Sequence, residues 1–171
     1  RCPTARAPAP QLLPAAQILA RLNQRFSLLR GRRRDQDPRQ ATLRSAIDWS
    51  WELLEENERD VMAQCSVFRG GFSMDSATAV LDLSAWRNAP WVIDVVGDLL
   101  DRSLIYSWQI VGQPRFGMYA SIREFAAEKL AETGAIAEGS AAPQSGPAAT
   151  EAARARHGAH YAQLGTVESL Q

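Results

Sequence analysis

The sequence has few cysteines and no long apolar run, and both absences restrict the classes of protein it can belong to. Cys2 and Cys65 are the only cysteines among 171 residues. Cys2 lies in a proline-rich stretch and Cys65 on the apolar face of a predicted helix, so we expect no disulfide framework and a reducing, cytoplasmic setting. No apolar run approaches the roughly 20 residues of a membrane-spanning helix, and no signal-peptide core follows the start. We therefore expect no membrane contact.

Net charge is also lacking: the formal value is +0, which argues against a dedicated polyanion binder. The charges are nevertheless unevenly placed. Residues 21–44 contain eight basic and two acidic residues, whereas residues 45–104 contain four basic and eleven acidic ones. We favour the interpretation in which the arginine-rich loop within residues 21–44, called the basic loop below, packs on an acidic face of the same protein. A contact with phosphate or nucleic acid is the alternative.

Signatures of catalysis are missing as well. Neither GxxxxGK[ST] nor GxGxxG occurs, and no Ser or His lies in a nucleophile-elbow context. His157 and His160 could supply two metal ligands from one helical face, but no third ligand follows at a suitable spacing, so we expect no metal site. The carboxylates of residues 55–60 favour a helix N-terminus through its dipole. We expect no enzyme activity from this chain. It begins with Arg1 and not Met, which suggests an excerpt from a longer protein.

What the sequence does contain is helical periodicity. Apolar residues recur every three or four positions after Thr42, which we expect to cap a helix running to Leu54. Trp49 and Trp51 lie off the main apolar stripe of this helix, which predicts that it packs against two neighbours. Asn57 is expected to open the next helix.

Further signals place the other elements. The pair Gly70-Gly71 is expected to close the second helix, Ser73 to cap a short third one, and Pro90 to begin another. Residues 104–111 and 115–119 have strand composition and are separated by a turn, which predicts a hairpin. Ser121 and Glu124 have the spacing of a capping box for one more helix, ending at Gly134. The order of three helices, hairpin and helix predicts a mainly α fold, a winged helix-turn-helix with flanking helices.

The domain boundaries follow from these elements. Residues 1–40 precede the winged-helix domain and contain an amphipathic helix over 12–29 and the basic loop. The winged helix itself is expected over 41–133. Small residues and prolines predict a flexible linker over 134–151. A final helix is expected over 152–171, with no second helix to cover it.

A winged helix normally reads DNA with its third helix, through basic or amide side chains near the helix start. Here the exposed positions of that helix are predicted to be Asp94, Asp98 and Asp101. Each carboxylate would repel the phosphate backbone. We therefore do not expect direct DNA binding by this domain, although a DNA-binding winged-helix transcription factor stays as the alternative function.

Several short motifs, taken in order, carry a resemblance to a known family. They are Leu22, Arg25-Phe26, Leu28-Leu29, Gly31, Pro38-Arg39-Gln40, Thr42-Leu43-Arg44, Ile47-Asp48-Trp49-Ser50, Leu53-Leu54, Glu58-Arg59, Ser66-Val67-Phe68, Gly70-Gly71-Phe72, Asp101-Arg102-Ser103-Leu104, Ile122-Arg123-Glu124-Phe125-Ala126, Arg156-His157 and Ala159-His160-Tyr161. This pattern resembles the STAND signalling ATPases, which contain an NB-ARC-like nucleotide-binding domain, and in particular bacterial transcriptional regulators similar to the AfsR and LuxR-type ATPases.

The resemblance implies an architecture. Residues 1–40 would be the end of a helical lid, residues 41–133 the winged helix that closes over a nucleotide, and residues 152–171 the first helix of a TPR-like sensor region. The chain itself would hold no cofactor, whereas ADP or ATP with Mg²⁺ would bind to an upstream domain of the parent protein. Its partners would be that domain and the TPR-like region, with oligomerisation on activation. Exchange of ADP for ATP would shift the population between two packings of these domains.

The resemblance also implies candidate residues for nucleotide sensing. Related proteins have a Met-His-Asp motif before the last helix of the winged domain, and the matching positions here are Met118, Tyr119 and Ala120. Tyr119 replaces the histidine and can donate a hydrogen bond but carries no positive charge. Arg39, ahead of the helix that Thr42 is expected to cap, is a second candidate for phosphate contact. Thr42 and Arg44 are candidates for a phosphate or domain interface.

Overall fold

The computed structural model describes residues 38–137 and 144–168, so the helix predicted over 12–29 and the basic loop after it lie outside the described residues. The described elements, in order, are α1 (Pro38–Glu52), α2 (Glu56–Cys65), α3 (Met74–Val80), α4 (Val92–Asp101), β1 (Tyr106–Ile110), β2 (Gln113–Gly117), α5 (Ala120–Ala131) and α6 (Pro147–Glu168). Helices α2, α3 and α4 form the trihelical core, and the two strands form the wing. The predicted winged-helix fold is confirmed.

Helix α1 begins at Pro38, four residues before the predicted cap. Proline suits the first turn of a helix because it has no amide hydrogen to leave unbonded. Thr42 therefore lies in the second turn, and its predicted capping role is wrong. The inward face of α1 carries Ile47 and Trp51, both buried. The Trp51 ring meets the ring of Phe125 edge to face, with centroids 5.7 Å apart, and so joins α1 to α5.

Helix α2 is capped by Glu55 and not by Asn57. The Glu58 side chain accepts a hydrogen bond of 2.8 Å from the Glu55 backbone nitrogen, while the Glu55 carboxylate accepts one in return from the backbone of Glu58. This capping box satisfies amides that the helix leaves unbonded. The helix ends at Cys65, five residues before the predicted stop at Gly70.

Gly71 serves the wing and not the helix end. Its φ is +83°, and a Cβ at this position would lie 2.3 Å from Cη2 of Trp108 and 2.7 Å from the carbonyl oxygen of Phe116. Such distances are below any tolerated contact, so only glycine fits here. The next residue, Phe72, exchanges two backbone hydrogen bonds of 2.8 Å with Phe116. The wing is thereby fastened to the trihelical core.

The hairpin was predicted correctly, with a shift in its turn. The strands are antiparallel, and their register runs from Tyr106 opposite Gly117 to Ile110 opposite Gln113. The turn consists of Val111 and Gly112, with φ values of 49° and 78°. Two left-handed residues match the twist of a two-residue hairpin. Gln113 and Pro114, which were predicted in the turn, belong to β2.

Helix α3 is capped as predicted, whereas α5 is not. The Ser73 hydroxyl accepts a hydrogen bond of 3.2 Å from the Ser76 backbone nitrogen. Helix α5 begins at Ala120 with Tyr119 as its N-cap, so Ser121 lies inside the helix and cannot cap it. The helix ends at Ala131, three residues before the predicted stop at Gly134.

Helix α6 packs on the winged helix, which corrects the predicted linker. It begins at Pro147, so residues 147–151 are helical. Just before it, the Gly146 nitrogen donates a hydrogen bond of 2.7 Å to the carbonyl oxygen of Leu130, and Ile136 is buried. The described parts of the predicted linker are therefore packed, while residues 138–143 lie outside the described residues.

The helix is held against the core by polar as well as apolar contacts. Ala153 is fully buried. The Arg156 guanidinium donates to the Val80 carbonyl oxygen at 2.8 Å and to Oε1 of Gln64 at 2.9 Å. Contrary to the expectation that no second helix covers it, α6 is covered by the core. Its membership of a TPR-like region stays a prediction.

Candidate functional site

Helix α4 is the third helix of the core and would be the DNA-reading element of a winged helix. Its inward face carries Val95, Val96 and Leu99, all buried. Its outward positions include Asp94, Asp98 and Asp101, all exposed, as the sequence predicted. Three carboxylates on this face oppose a negatively charged duplex, because binding normally gains from the release of counterions by basic side chains.

The start of α4 is apolar, which is also unsuited to base reading. The N-cap residue Trp91 is 77% exposed and makes no side-chain cap, and Ile93 is 52% exposed. Base edges in the major groove are read mainly by Arg, Lys, Asn and Gln. Large exposed apolar side chains are instead typical of a surface that contacts protein.

The wing contains one basic residue. Arg115 is the only Lys or Arg in either strand, and its side chain is half-buried. The tip carries Val111, which is 99% exposed, next to Ile110, which is 51% exposed. A DNA-binding wing would be expected to place basic groups against phosphate. This one ends in aliphatic side chains.

The predicted nucleotide-sensing pair divides between core and surface. Met118 is buried in the core, whereas Tyr119 is 59% exposed at the N-cap of α5. The Tyr119 ring lies against the ring of Tyr106, with centroids 4.8 Å apart. Tyr119 is thus accessible to a neighbouring domain. Met118 is not.

The other candidates do not converge on Tyr119. Nη2 of Arg44 lies 2.6 Å from Oε2 of Glu128, and its guanidinium carbon lies 5.6 Å from the ring centre of Phe125. The hydrogen bond with Glu128 raises the pKa of Arg44. Glu128 is nine residues beyond Tyr119 on α5, a distance of about 14 Å along a helix axis. Arg44 therefore ties α1 to the far end of α5.

Thr42 is exposed in the second turn of α1, and Arg39 belongs to the first turn of that helix. The side chain of Arg39 lies outside the described residues. Its predicted contact with phosphate stays a prediction, as do the interface roles of Thr42 and Arg44.

Helix α1 has a second, outward apolar face. Trp49 is 64% exposed, and Leu53, which directly follows α1, is 54% exposed. The Leu53 nitrogen donates a hydrogen bond of 3.3 Å to the Trp49 carbonyl oxygen, so the two residues are one helical turn apart and lie on the same side. The prediction that both tryptophans pack is confirmed for Trp51 within this chain, while Trp49 points outward. This face therefore exposes two large apolar side chains.

A buried polar network near α2 was not predicted from the sequence. Asp60 accepts hydrogen bonds of 2.7 Å from Nε2 of Gln64 and 2.8 Å from Nε1 of Trp86. Burial raises the pKa of Asp60 to about 6, although the two hydrogen bonds act in the opposite direction. Gln64 links this pair to Arg156 of α6. The available signal was two polar residues at the spacing of one helical turn among apolar neighbours.

No group of three or more His, Cys, Asp and Glu that could hold a metal ion occurs among the described residues. His157 and His160 instead make other contacts. The His157 ring meets that of Phe68 at 5.2 Å, and Nε2 of His160 lies 3.0 Å from the Ser76 hydroxyl. None of the helices in the described ranges is long and apolar enough to cross a membrane.

Comparison with known proteins connects the chain to bacterial regulators. It is 35% identical over 121 residues to Rv0890c of Mycobacterium tuberculosis strain H37Rv, a protein provisionally named as an HTH-type transcriptional regulator; the match covers 69% of the chain and 13% of the relative. The same values hold for Mb0914c of Mycobacterium bovis, which has the same kind of name. The chain is also 31% identical over 122 residues to Rv0894 of M. tuberculosis, an uncharacterized protein, with 71% of the chain and 31% of the relative covered.

The chain therefore spans less than a third of the relatives it matches, and its similarity is to one segment of each. No protein-family model and no solved structure matches it. The relatives' names do not say which of their segments contains the named helix-turn-helix.

Proposed function

We propose that this chain is the winged-helix module of a larger cytoplasmic transcriptional regulator, and that it acts by packing on other domains of that regulator instead of reading DNA. The observation that carries the proposal is the outward face of α4, where Asp94, Asp98 and Asp101 stand beside the exposed Trp91 and Ile93. The three carboxylates weaken contact with a duplex, and the two apolar side chains favour contact with protein. The module itself performs no catalysis.

The outward face of α1 supports the same proposal. Trp49 and Leu53 expose apolar area that a neighbouring domain would bury. Similarity to relatives at least three times longer than the matched segment is consistent with such neighbours.

The finer form of the proposal is a nucleotide-driven switch of the STAND type. The partner would then be an upstream nucleotide-binding domain holding ADP or ATP with Mg²⁺, and a TPR-like region would follow. The module would oligomerise with its copies on activation. Tyr119 supports this form, since its hydroxyl is exposed at a helix N-terminus, where anions are favoured. Arg39 in the first turn of α1 has a similar location.

Thiol labelling tests the docking of α1. Leu53→Cys would be introduced into both the chain and its full-length regulator, together with Cys2→Ser to remove a competing thiol. Cys65 can stay, because it is buried and burial raises the pKa of its thiol, so it reacts slowly. We expect maleimide to label Leu53→Cys at least tenfold more slowly in the full-length protein. Val111→Cys on the wing tip serves as the matched control. Equal rates for Leu53→Cys in both proteins would refute docking on α1.

ADP retention tests the switch separately. We expect Tyr119→Ala and Arg39→Ala in the full-length regulator to accelerate release of bound ADP, while Gln109→Ala on the wing leaves the rate unchanged. If neither variant alters the rate, the nucleotide-sensing role of both residues is removed, although the docking proposal stands.

Direct DNA binding is the second candidate function, and the names of the relatives favour it. Its strongest requirement is a basic surface on α4 or the wing. Within α4 and the two strands, the only Lys or Arg is Arg115. Arg102, the C-cap residue of α4, is ion-paired with Glu58 at 3.4 Å. A titration with duplex DNA decides between the two functions.

A further inference from the structure

An open cavity of about 670 Å³ lies where the segment after α2, strand β2, helix α5 and helix α6 meet. Its size is typical of a site for a small molecule. Its lining is strongly basic, and the charged or titratable members are Arg69, Arg115, Arg123, Arg154, Glu124, His157 and Tyr161. With the histidine neutral, the net formal charge of the lining is +3. This contrasts with the chain as a whole, whose formal charge is +0.

The four arginines come from four separate elements. Arg69 follows α2, Arg115 belongs to β2, Arg123 to α5 and Arg154 to α6. None of them takes part in an ion pair with another described residue. Four guanidinium groups around one cavity repel each other, and Glu124 is the one carboxylate in the lining that opposes this repulsion. An anion in the cavity would offset it.

Two enclosed polar atoms point to what such an anion carries. Nε of Arg115 and Oε2 of Glu124 are both shielded from solvent, and neither has a hydrogen-bond partner among the described residues. A buried polar atom without a partner has an unfavourable desolvation free energy, and a ligand that forms a hydrogen bond with it removes that cost. Arg115 requires an acceptor, whereas Glu124 requires a donor. Solvent reaches neither atom, so both side chains would have to turn toward the cavity, and a ligand with an anionic group and a hydroxyl would then satisfy the two together.

The side of the cavity formed by α6 is held firmly. The His157 ring packs between those of Phe68 and Tyr161, at 5.2 and 4.7 Å, and burial lowers the pKa of His157. On the other side, Nη1 of Arg123 donates to the Arg69 carbonyl oxygen at 3.0 Å, which fixes part of its guanidinium. A site with fixed donors loses less entropy when it binds.

The geometry points to an effector site for a hydroxylated phosphate monoester, of the sugar-phosphate class, in this cavity. Guanidinium groups recognise phosphate through paired hydrogen bonds, and a phosphate monoester offers three terminal oxygens and a larger negative charge, whereas a carboxylate offers two oxygens. The phosphate would contact Arg115, Arg123 and Arg154, and a ligand hydroxyl would donate to Glu124. Because the ligand would bridge β2, α5 and α6, it would strengthen the attachment of α6 to the winged helix. This site is independent of the proposed docking of α1.

The test is isothermal titration calorimetry of the 171-residue chain with ribose 5-phosphate, inorganic phosphate and a tetra-aspartate peptide at fixed ionic strength. We expect saturable binding of ribose 5-phosphate, weaker binding of inorganic phosphate and a rise in Tm with ligand. Arg154→Gln is expected to weaken binding by about tenfold, the loss of one charge-assisted hydrogen bond. Arg87→Gln, which removes the same charge from an exposed loop, should leave binding within about twofold.

The contributions of the hydroxyl and of the cavity are then separable. Glu124→Gln should reduce the preference for ribose 5-phosphate over inorganic phosphate, because the amide accepts less well from a hydroxyl, while binding of inorganic phosphate is kept or improved. Equal losses in Arg154→Gln and Arg87→Gln would show non-specific attraction and overturn the site. Tighter binding of the aspartate peptide than of ribose 5-phosphate would overturn the phosphate class.

Discussion

Two charged surfaces of this domain have opposite signs and different origins. The outward face of α4 carries Asp94, Asp98 and Asp101 at helical spacing, and solvent screens them. The cavity between the wing, α5 and α6 collects arginines from four elements around partly enclosed space. A net charge of zero therefore conceals an acidic face at the position where a winged helix reads DNA, and a basic cavity elsewhere.

The largest expected effect comes from the joint between wing and core that also lines the cavity. Gly71→Ala places a Cβ against Trp108 and Phe116 at a residue with φ of +83°, so we expect a loss of about 3 kcal/mol in the free energy of unfolding. Gly70→Ala is the matched control, since nothing lies within 4 Å of its Cβ position. Urea denaturation measures both. Similar losses for the two variants would contradict the proposed joint.

The second expected effect is on the pH dependence of stability, and it comes from Asp60, a buried acid that belongs to neither charged surface. The pKa of Asp60 is raised from 3.8 to about 6, so the folded protein holds a proton that the unfolded chain releases. The Asp60 contribution to the free energy of unfolding should therefore fall by roughly 3 kcal/mol as the pH rises from about 4 to about 6. Asp60→Asn should flatten this part of the profile, whatever its effect on absolute stability. An unchanged slope would show that other groups cause the pH dependence.

The third effect inverts the acidic surface itself. Replacing Asp94, Asp98 and Asp101 by Lys places three positive charges where the module now has three negative ones. We expect the affinity for random duplex DNA to increase by about a hundredfold at low salt, through counterion release. The same three substitutions to Asn should give a smaller gain. If neither set changes the affinity, the charge of α4 is not what keeps DNA away.

The smallest effect concerns the capping box at the start of α2. Glu58→Ala removes the acceptor for the Glu55 amide and one partner of Arg102, and should cost about 1 kcal/mol of the free energy of unfolding. The exposed Glu56→Ala, in the same first turn, is the control and should cost less. Thermal unfolding followed by circular dichroism compares the two. Equal costs would assign the effect to the helix dipole and not to the cap.

The elements themselves were predictable because their signals are local. A period of 3.6 residues marks α4 and α5, and β-branched and aromatic residues mark the hairpin. The ends of the helices were less predictable. Glu55 and not Asn57 caps α2, and Gly71 accommodates Trp108 from the wing instead of ending a helix. The Glu55 cap depends on Glu58 three residues away, whereas the role of Gly71 is set by a contact with the distant Trp108.

The packing of α6 and the basic cavity could not be predicted from spacing. The start of α6 is rich in alanine and follows prolines, which is typical of a linker. Ala153 nevertheless has a small side chain that allows close approach, and Arg156 bonds to the core across more than 70 residues of sequence. The cavity assembles Arg69, Arg115 and Arg154, which no local pattern connects. Among the candidate site residues, Met118 matched the first position of the nucleotide-sensing motif, but its side chain is buried in the core.

The most direct test of the central claim is a fluorescence anisotropy titration of this chain with a random 20-base-pair duplex at two salt concentrations. The acidic face of α4 predicts no saturable binding at micromolar protein, even at low salt. Micromolar binding that weakens steeply as salt increases would contradict the claim and show that this chain binds DNA.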